Sequence, residues 1–297
     1  MIGMTDVVKE FGEVRALDGL SMTVPKGVIY GLVGPNGAGK TTALQHVAGV
    51  MRPTRGEVKV GGSPVFENPQ VKEGIAYIPS DLYYYRQARI SDMKRLHKSV
   101  FPRFDEVRFQ KLAQVFQMDQ ATNVRSLSKG MRKQLAFWLA LSQRPDVLLL
   151  DEPLDGLDPA ARRLVLGIVM DEVAQREMTV IVSSHNLREL ADVCDHVGFM
   201  ESGRMRLERD LADLQEGLVK VQVAFESDDA VLPSELDVVN SSAQGRLRTV
   251  VVRGDAEEVE RALRAAGATF VNPLPLSLEE IFIYEVGGNC HADGILD

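Results

Sequence analysis

Nine residues, Gly34-Pro35-Asn36-Gly37-Ala38-Gly39-Lys40-Thr41-Thr42, constrain this chain more than any other part of it. They fit G-x-x-x-x-G-K-[ST], a loop whose backbone N–H groups turn inward to cradle phosphate. Glycine is needed there because a side chain would block the close approach of backbone to an anion. In such a loop Lys40 reaches the β- and γ-phosphates, and the Thr41 hydroxyl holds Mg²⁺. The stretch from Thr42 to Val50 can open a helix whose positive N-terminal end faces the phosphates. Just before the loop, Val28-Ile29-Tyr30-Gly31-Leu32-Val33 is the short apolar run of a buried parallel strand. Strand, glycine loop and helix come in the order the motif requires, which predicts an α/β fold that binds a nucleoside triphosphate.

Other segments extend that fold. Val14 to Val24 reads as strand and ends at the turn signal Pro25-Lys26-Gly27. Gly56 to Gly62 is a short alternating strand, and Ile75 to Pro79 is an apolar one. From about Ser91 to Met118 the pattern turns helical, with a break at Phe101-Pro102, and a further helix begins near Ser128. Val147 to Leu150 and Thr179 to Ser183 are unalternated apolar runs, which predicts a parallel sheet covered on both faces. Near Gly217 the character changes. Strands are predicted at Val219–Phe225, Leu247–Val252 and Ala268–Val271, with helices at Glu257–Ala266 and Leu276–Phe282: a small α+β unit. Residues Gly287 to Asp297 read as a frayed tail.

The run Val147-Leu148-Leu149-Leu150-Asp151-Glu152 delivers two carboxylates at the C-terminal end of a strand, where ligands bind in open α/β sheets. Asp151 suits the shell of Mg²⁺, a hard cation that takes carboxylate oxygens or their bound water. Glu152 points elsewhere and suits the polarisation of an attacking water.

Bulk properties narrow the setting. No apolar run approaches the ~18 residues of a membrane span, and the segment Met1 to Asp6 lacks the basic and apolar stretches of a signal peptide. The expected location is the cytoplasm. A formal charge of −8 argues against broad nucleic-acid binding. Cys194 and Cys290 show no metal-ligand spacing and read as reduced, structural residues.

With these motifs in place, residues 1 to 216 resemble the ATP-binding subunit of an ABC transporter. Ser126-Leu127-Ser128-Lys129-Gly130-Met131 stands where that family carries its LSGGQ signature; Asp155-Gly156-Leu157-Asp158 matches its D-loop; His185 matches its switch histidine; Phe11 matches the aromatic residue that stacks on adenine. The resemblance implies a P-loop NTPase domain of ABC type at residues 1–217, with a helical insert at about 81–125 and an accessory α+β domain at 218–286. It implies ATP and Mg²⁺ as ligands, and head-to-tail pairing in a homodimer or a dimer with a related subunit. Ser128 and the N–H groups of Lys129 and Gly130 would then donate to the γ-phosphate held by the other subunit, with Asp158 contributing at the same interface. It also implies a separate membrane permease, with this chain peripheral on the inner face of the membrane.

Three departures stand out. Lys129 replaces a glycine, although its N–H remains and a cation beside a triphosphate is favourable. Met131 replaces a glutamine and removes a polar contact. After Tyr77-Ile78-Pro79 the family has a glutamine that touches Mg²⁺ or its water. Here the residue is Ser80, which is shorter and reaches a metal only through an extra water, with Asp81 beside it.

In the predicted insert, Tyr83-Tyr84-Tyr85 with Arg86, Arg89, Lys94, Arg95 and Lys98 forms an aromatic and basic stretch. It reads as a partner grip or lipid-facing surface, or else as a solvated face over half-packed tyrosines. The rival to a transport motor is a soluble ATPase of the same family acting on ribosomes or DNA. Such members usually carry two cassettes or a coiled-coil insert, and this chain has neither. A GTPase is disfavoured by the lack of an N-K-x-D motif.

Overall fold

A computed structural model describes residues 1–85, 87–191, 193–226, 231–277, 280, 281 and 284, apart from the side chains of 212, 215 and 216. Arg86, Cys290, His291, the predicted tail and part of the predicted last helix lie outside the described residues. The chain divides into two compact units, residues 1–208 and 209–297.

The first unit opens with β1 (Ile2–Phe11) and β2 (Val14–Val24), a long antiparallel pair. Next come β3 (Ile29–Val33), the glycine loop and α1 (Lys40–Val47). Then follow β4 (Arg55–Val60), β5 (Ser63–Pro64), the short α2 (Pro69–Lys72) and β6 (Ile75–Ile78). The insert contributes α3 (Ile90–Val100) and α4 (Glu106–Phe116), broken at Phe101-Pro102 as the sequence predicts. After them come α5 (Lys129–Ser142), β7 (Val147–Asp151), α6 (Pro159–Arg176), β8 (Thr179–Ser184), β9 (His196–Glu201) and β10 (Arg204–Asp210).

Two sheets result. One has the order β2-β1-β4-β5, the other β10-β9-β3-β8-β7-β6. In the second, β9, β3, β8, β7 and β6 pair in parallel. Strands β3, β7 and β8 are buried at every position, which is why their sequences run apolar without alternation. The glycine inside β9 has a steric cause: a Cβ on Gly198 would meet the Tyr30 hydroxyl at 2.1 Å. A core of Ile2, Leu17, Leu20, Leu44, Leu149 and Ile181 fills the space between the two sheets and α1.

Trp138 on α5 is fully buried, stacks on Phe109 of the insert with centroids 4.4 Å apart, and donates from Nε1 to the Phe109 carbonyl at 2.8 Å. This aromatic bond fixes α4 to the helix that carries the signature-like segment.

The second unit contains α7 (Leu211–Glu216), β11 (Leu218–Phe225), β12 (Asp237–Gln244), β13 (Leu247–Arg253), α8 (Ala256–Ala265) and β14 (Ala268–Leu274). Its antiparallel sheet has the order β12-β13-β11-β14. Val221, Val223, Val250 and Val252 from the sheet pack with Val259 and Leu263 of α8, so the alternation in these strands places one face on a helix.

Candidate nucleotide site

The register of the parallel sheet assembles the site. Val33 is opposite Ser184, and Asp151 is opposite Ser183, so β3, β7 and β8 end at one edge. Whatever follows these strands meets there.

The loop after β3 turns tightly because its glycines leave room. A Cβ on Gly34 would lie 2.1 Å from the Met200 carbonyl, and one on Gly39 would lie 2.6 Å from the Ala16 carbonyl. Pro35, Asn36 and Gly37 span the turn, closed by Ala38 N–H donating to the Pro35 carbonyl at 3.1 Å. The Ala38 carbonyl in turn accepts from Gly203 N–H at 3.0 Å, so the β9–β10 turn braces the loop. Gly39, at φ 103°, starts α1 without a side-chain cap. The first-turn N–H groups at Lys40, Thr41 and Thr42 are therefore available to an anion.

Lys40 is buried and donates to the carbonyls of Gly34 (2.6 Å) and Pro35 (3.2 Å). Its ammonium is 3.5 Å from a Glu152 carboxylate oxygen. Burial pulls the lysine below its usual range, opposed by the charges of Glu152 and Asp151.

Asp151 is fully buried at the end of β7. The Thr41 hydroxyl lies 3.0 and 2.8 Å from its two carboxylate oxygens, Ser183 Oγ donates at 2.7 Å, and the Tyr77 hydroxyl is 3.5 Å away. Burial first, and the Asp151 charge second, push the Tyr77 phenol far above its ordinary range, which keeps it a donor.

Glu152 adopts φ 46°, in the left-handed region, which costs a non-glycine residue about 1–2 kcal/mol. Its N–H donates to Ser183 Oγ at 3.1 Å, and its carbonyl accepts from Lys133 Nζ. Ser183 thus serves both acids: it accepts from one backbone and donates to the other carboxylate. The turn after β7 directs the Glu152 carboxylate to His185, with Nδ1 3.0 Å from Oε2. A carboxylate only accepts, so Nδ1 carries the proton.

The remaining predicted residues make separate contacts. Ser80 is half-buried just beyond β6, while the hydroxyls bonded to Asp151 come from Thr41, Ser183 and Tyr77. Phe11 sits at the end of β1, 47% exposed, with the Lys9 ammonium 5.0 Å from its ring centroid. Ser128 caps α5 by accepting from Met131 N–H at 3.1 Å. Ser128 and Lys129 are exposed. The Lys129 chain lies over the D-loop, where a Cβ on Gly156 would come 3.0 Å from Lys129 Cδ. Asp158 caps α6, accepting from Ala160 and Ala161 N–H at 2.9 Å each. Arg162 then bonds both the Leu157 carbonyl (3.1 Å) and Glu189 (2.8 Å), and Ser184 reaches Glu189 at 3.3 Å, which links the D-loop to the segment after β8.

Sequence reasoning did not assign Tyr77, Ser183 or Lys133 to the site. The two serines after an apolar strand were visible as a motif, but only the register with β7 shows which of them meets Asp151. In the insert, Lys94 and Lys98 both bond Glu106 at 2.6 Å, and Arg95 bonds Asp92 at 3.0 Å. Tyr83 and Tyr85 are exposed, and Tyr84 donates to the Arg132 carbonyl at 3.1 Å.

A glycine loop leading into a helix, with a buried acid at the end of another parallel strand of the same sheet, defines a P-loop nucleoside triphosphatase. Within that class the chain belongs to the ATP-binding proteins of ABC transporters. The family described as ABC transporter matches residues 17–155. The chain is 32% identical to the ABC transporter ATP-binding protein YtrB of Bacillus subtilis, over 97% of this chain and 99% of that protein. It is 30% identical to the Nod factor export ATP-binding protein I of Burkholderia lata, over 96% and 97% of the two chains. A solved ATP-binding subunit of an ABC transporter is 25% identical and superposes with a TM-score of 0.67, over 72% of this chain and 92% of that one.

Proposed function

We propose that this chain hydrolyses ATP to power a separate membrane permease, through closure and opening of a dimer. The observation that carries this is the hydrogen-bonded convergence of Lys40, Thr41, Asp151, Glu152 and His185 at one sheet edge. The loop N–H groups and Lys40 bind the phosphates, and Phe11 stacks on the adenine. Glu152 accepts a proton from the attacking water, and His185 orients Glu152 and contacts the γ-phosphate. The exposed N-terminus of α5, with Ser128 and the N–H groups of Lys129 and Gly130, closes on the ATP of a second subunit, beside Asp158.

The donor set suits Mg²⁺. Among the described residues no group of three His, Cys, Asp or Glu side chains could hold a metal alone. Mg²⁺ typically takes one or two protein oxygens and completes its shell with water and substrate phosphate. Thr41 and Asp151 supply those oxygens, with Ser80 acting through water. Bound there, the ion would neutralise charge on the β- and γ-phosphates.

Among the described residues no helix is long and apolar enough to cross a membrane, and we assign the membrane-spanning part to another chain. We place this one in the cytoplasm, peripheral on the inner face, with residues 218–286 as an accessory domain. The Tyr83–Tyr85 segment, beside Arg125 and Arg132 in a cleft of about 400 Å³, is the proposed docking place for the permease. The export function in one relative's name supports an exporter.

The test is a pair of variants. Glu152→Gln is expected to bind ATP and accumulate as a closed dimer on gel filtration, and a variant with wild-type turnover sinks the general-base role. Lys40→Ala is expected to lose ATP binding in an equilibrium titration; undiminished affinity overturns the phosphate site. Co-purification of a detergent-solubilised membrane protein supports the transport role, whereas nucleic acid points to the soluble rival.

A further inference from the structure

Lys133 is a buried lysine, at 2% exposure. It lies on α5, four residues after Lys129, so the two occupy one face of the helix. Its ammonium donates to the backbone carbonyl of Glu152. Burial, with the Lys129 charge beside it, disfavours the cation, and the charges of Asp155, Glu152 and Asp151 oppose that.

Glu152 needs such a hold. A glutamate at φ 46° relaxes toward the ordinary helical or extended regions unless its surroundings over-determine it. Here the two ends of the residue are held by different elements. The N–H is held by Ser183 of β8 at 3.1 Å, and the carbonyl is held by Lys133 of α5. The same helix begins at the exposed Ser128 cap and packs its first turn on the D-loop, where a Cβ on Gly130 would lie 3.0 Å from the Gly156 carbonyl.

We propose that Lys133 is a positioning residue: by holding the Glu152 carbonyl from α5 it fixes the direction of the Glu152 carboxylate, and it couples that carboxylate to the seating of the helix that begins at Ser128. This rests on the general-base reading of Glu152 above. A subunit whose α5 is displaced at Ser128 would have a misdirected base for its own ATP, so engagement of the partner's ATP and hydrolysis of its own are linked within one chain.

The test uses the purified full-length chain and ATP. Lys133→Met keeps the chain length and removes the donor; Lys133→Arg keeps a donor. For Lys133→Met the expected result is a kcat at least tenfold lower, a KM for ATP within twofold of wild type, and an unchanged thermal midpoint. Lys133→Arg is expected to retain more of kcat than the Met variant. In a Glu152→Gln background Lys133→Met should lower the residual single-turnover rate less than twofold, because its effect passes through the missing carboxylate. The proposal is overturned by a Met variant with kcat within twofold of wild type, or by parallel losses in kcat and ATP affinity. It is equally overturned by an undiminished effect in the Gln background, by an Arg variant no better than Met, or by unfolding of both variants. Glu152→Gln separates the two readings. If it turns over normally, the general-base role fails. If it is inactive while Lys133→Met is normal, only the positioning role fails.

Discussion

The Thr41 hydroxyl lies 3.0 and 2.8 Å from the two oxygens of Asp151, tying the second residue of α1 to the last residue of β7. One hydroxyl proton serves both oxygens, which holds the two side chains together where the proposed Mg²⁺ would bind. A hydrogen bond to a charged group is worth about 1.5–3 kcal/mol. Thr41→Val is therefore expected to lower ATPase activity about 10- to 100-fold, with partial recovery as Mg²⁺ is raised in a titration. Full activity at limiting Mg²⁺ would remove Thr41 from the metal shell.

His185 hydrogen-bonds the Glu152 carboxylate, so its loss should affect hydrolysis more than binding. His185→Ala is expected to reduce kcat about 100-fold or more, while ATP affinity stays within about threefold. Single-turnover rates and an equilibrium titration on the same protein separate the two. A variant that loses affinity and kcat equally would place His185 in ground-state binding instead.

An exposed phenylalanine at the end of β1 is available for stacking, and a π face does not discriminate between bases. Phe11→Ala is expected to weaken ATP binding about 2- to 10-fold, with a similar loss for GTP, and Phe11→Tyr should restore both. Unchanged affinity in the Ala variant would show that the base sits elsewhere.

His97 on α3 accepts from the Gln143 amide, with 2.9 Å between Nε2 and Nδ1, beside Phe101. Burial lowers its pKa from 6.5 to about 4. The folded state then binds fewer protons than the unfolded state across that window. Stability is retained above about pH 6.5 and declines as pH falls toward 4. The contribution at pH 5 is on the order of 1–2 kcal/mol. Urea melts at pH 7 and pH 5 should show a larger acid loss for wild type than for His97→Gln. Equal losses would mean that His97 is not held neutral.

What could be read along the chain was whatever is local. The glycine loop, the apolar strands before it and before Asp151, and the break at Phe101-Pro102 are patterns within a few residues, and they fall in the structure where the sequence places them. Less regular elements escaped. On α6 the buried residues are Ala161, Val165, Val169 and Glu172, so the inner face carries a carboxylate. Glu172 is accommodated only because Arg108 of α4 and Arg176 bond it at 2.5 and 2.8 Å. Strand β12 is a largely exposed edge strand with a polar sequence, Asn240-Ser241-Ser242, and gives little apolar signal. Gly198 interrupts β9 for the sake of Tyr30, a residue on a strand far away in sequence.

The sequence by itself determined the kind of chemistry at this site, because backbone freedom at the glycines, the charge on Lys40 and the two acids at Asp151-Glu152 belong to contiguous residues. The tertiary structure decided who serves those groups. Ser183 bridges the two acids because β8 runs beside β7 in a register that pairs it with Asp151. Lys133 reaches Glu152 because α5 packs its buried face toward the turn after β7. Neither contact has a spacing in the chain that would announce it: a hydrogen bond acts over about 3 Å of space, and which residues share that space is set by strand register and helix packing.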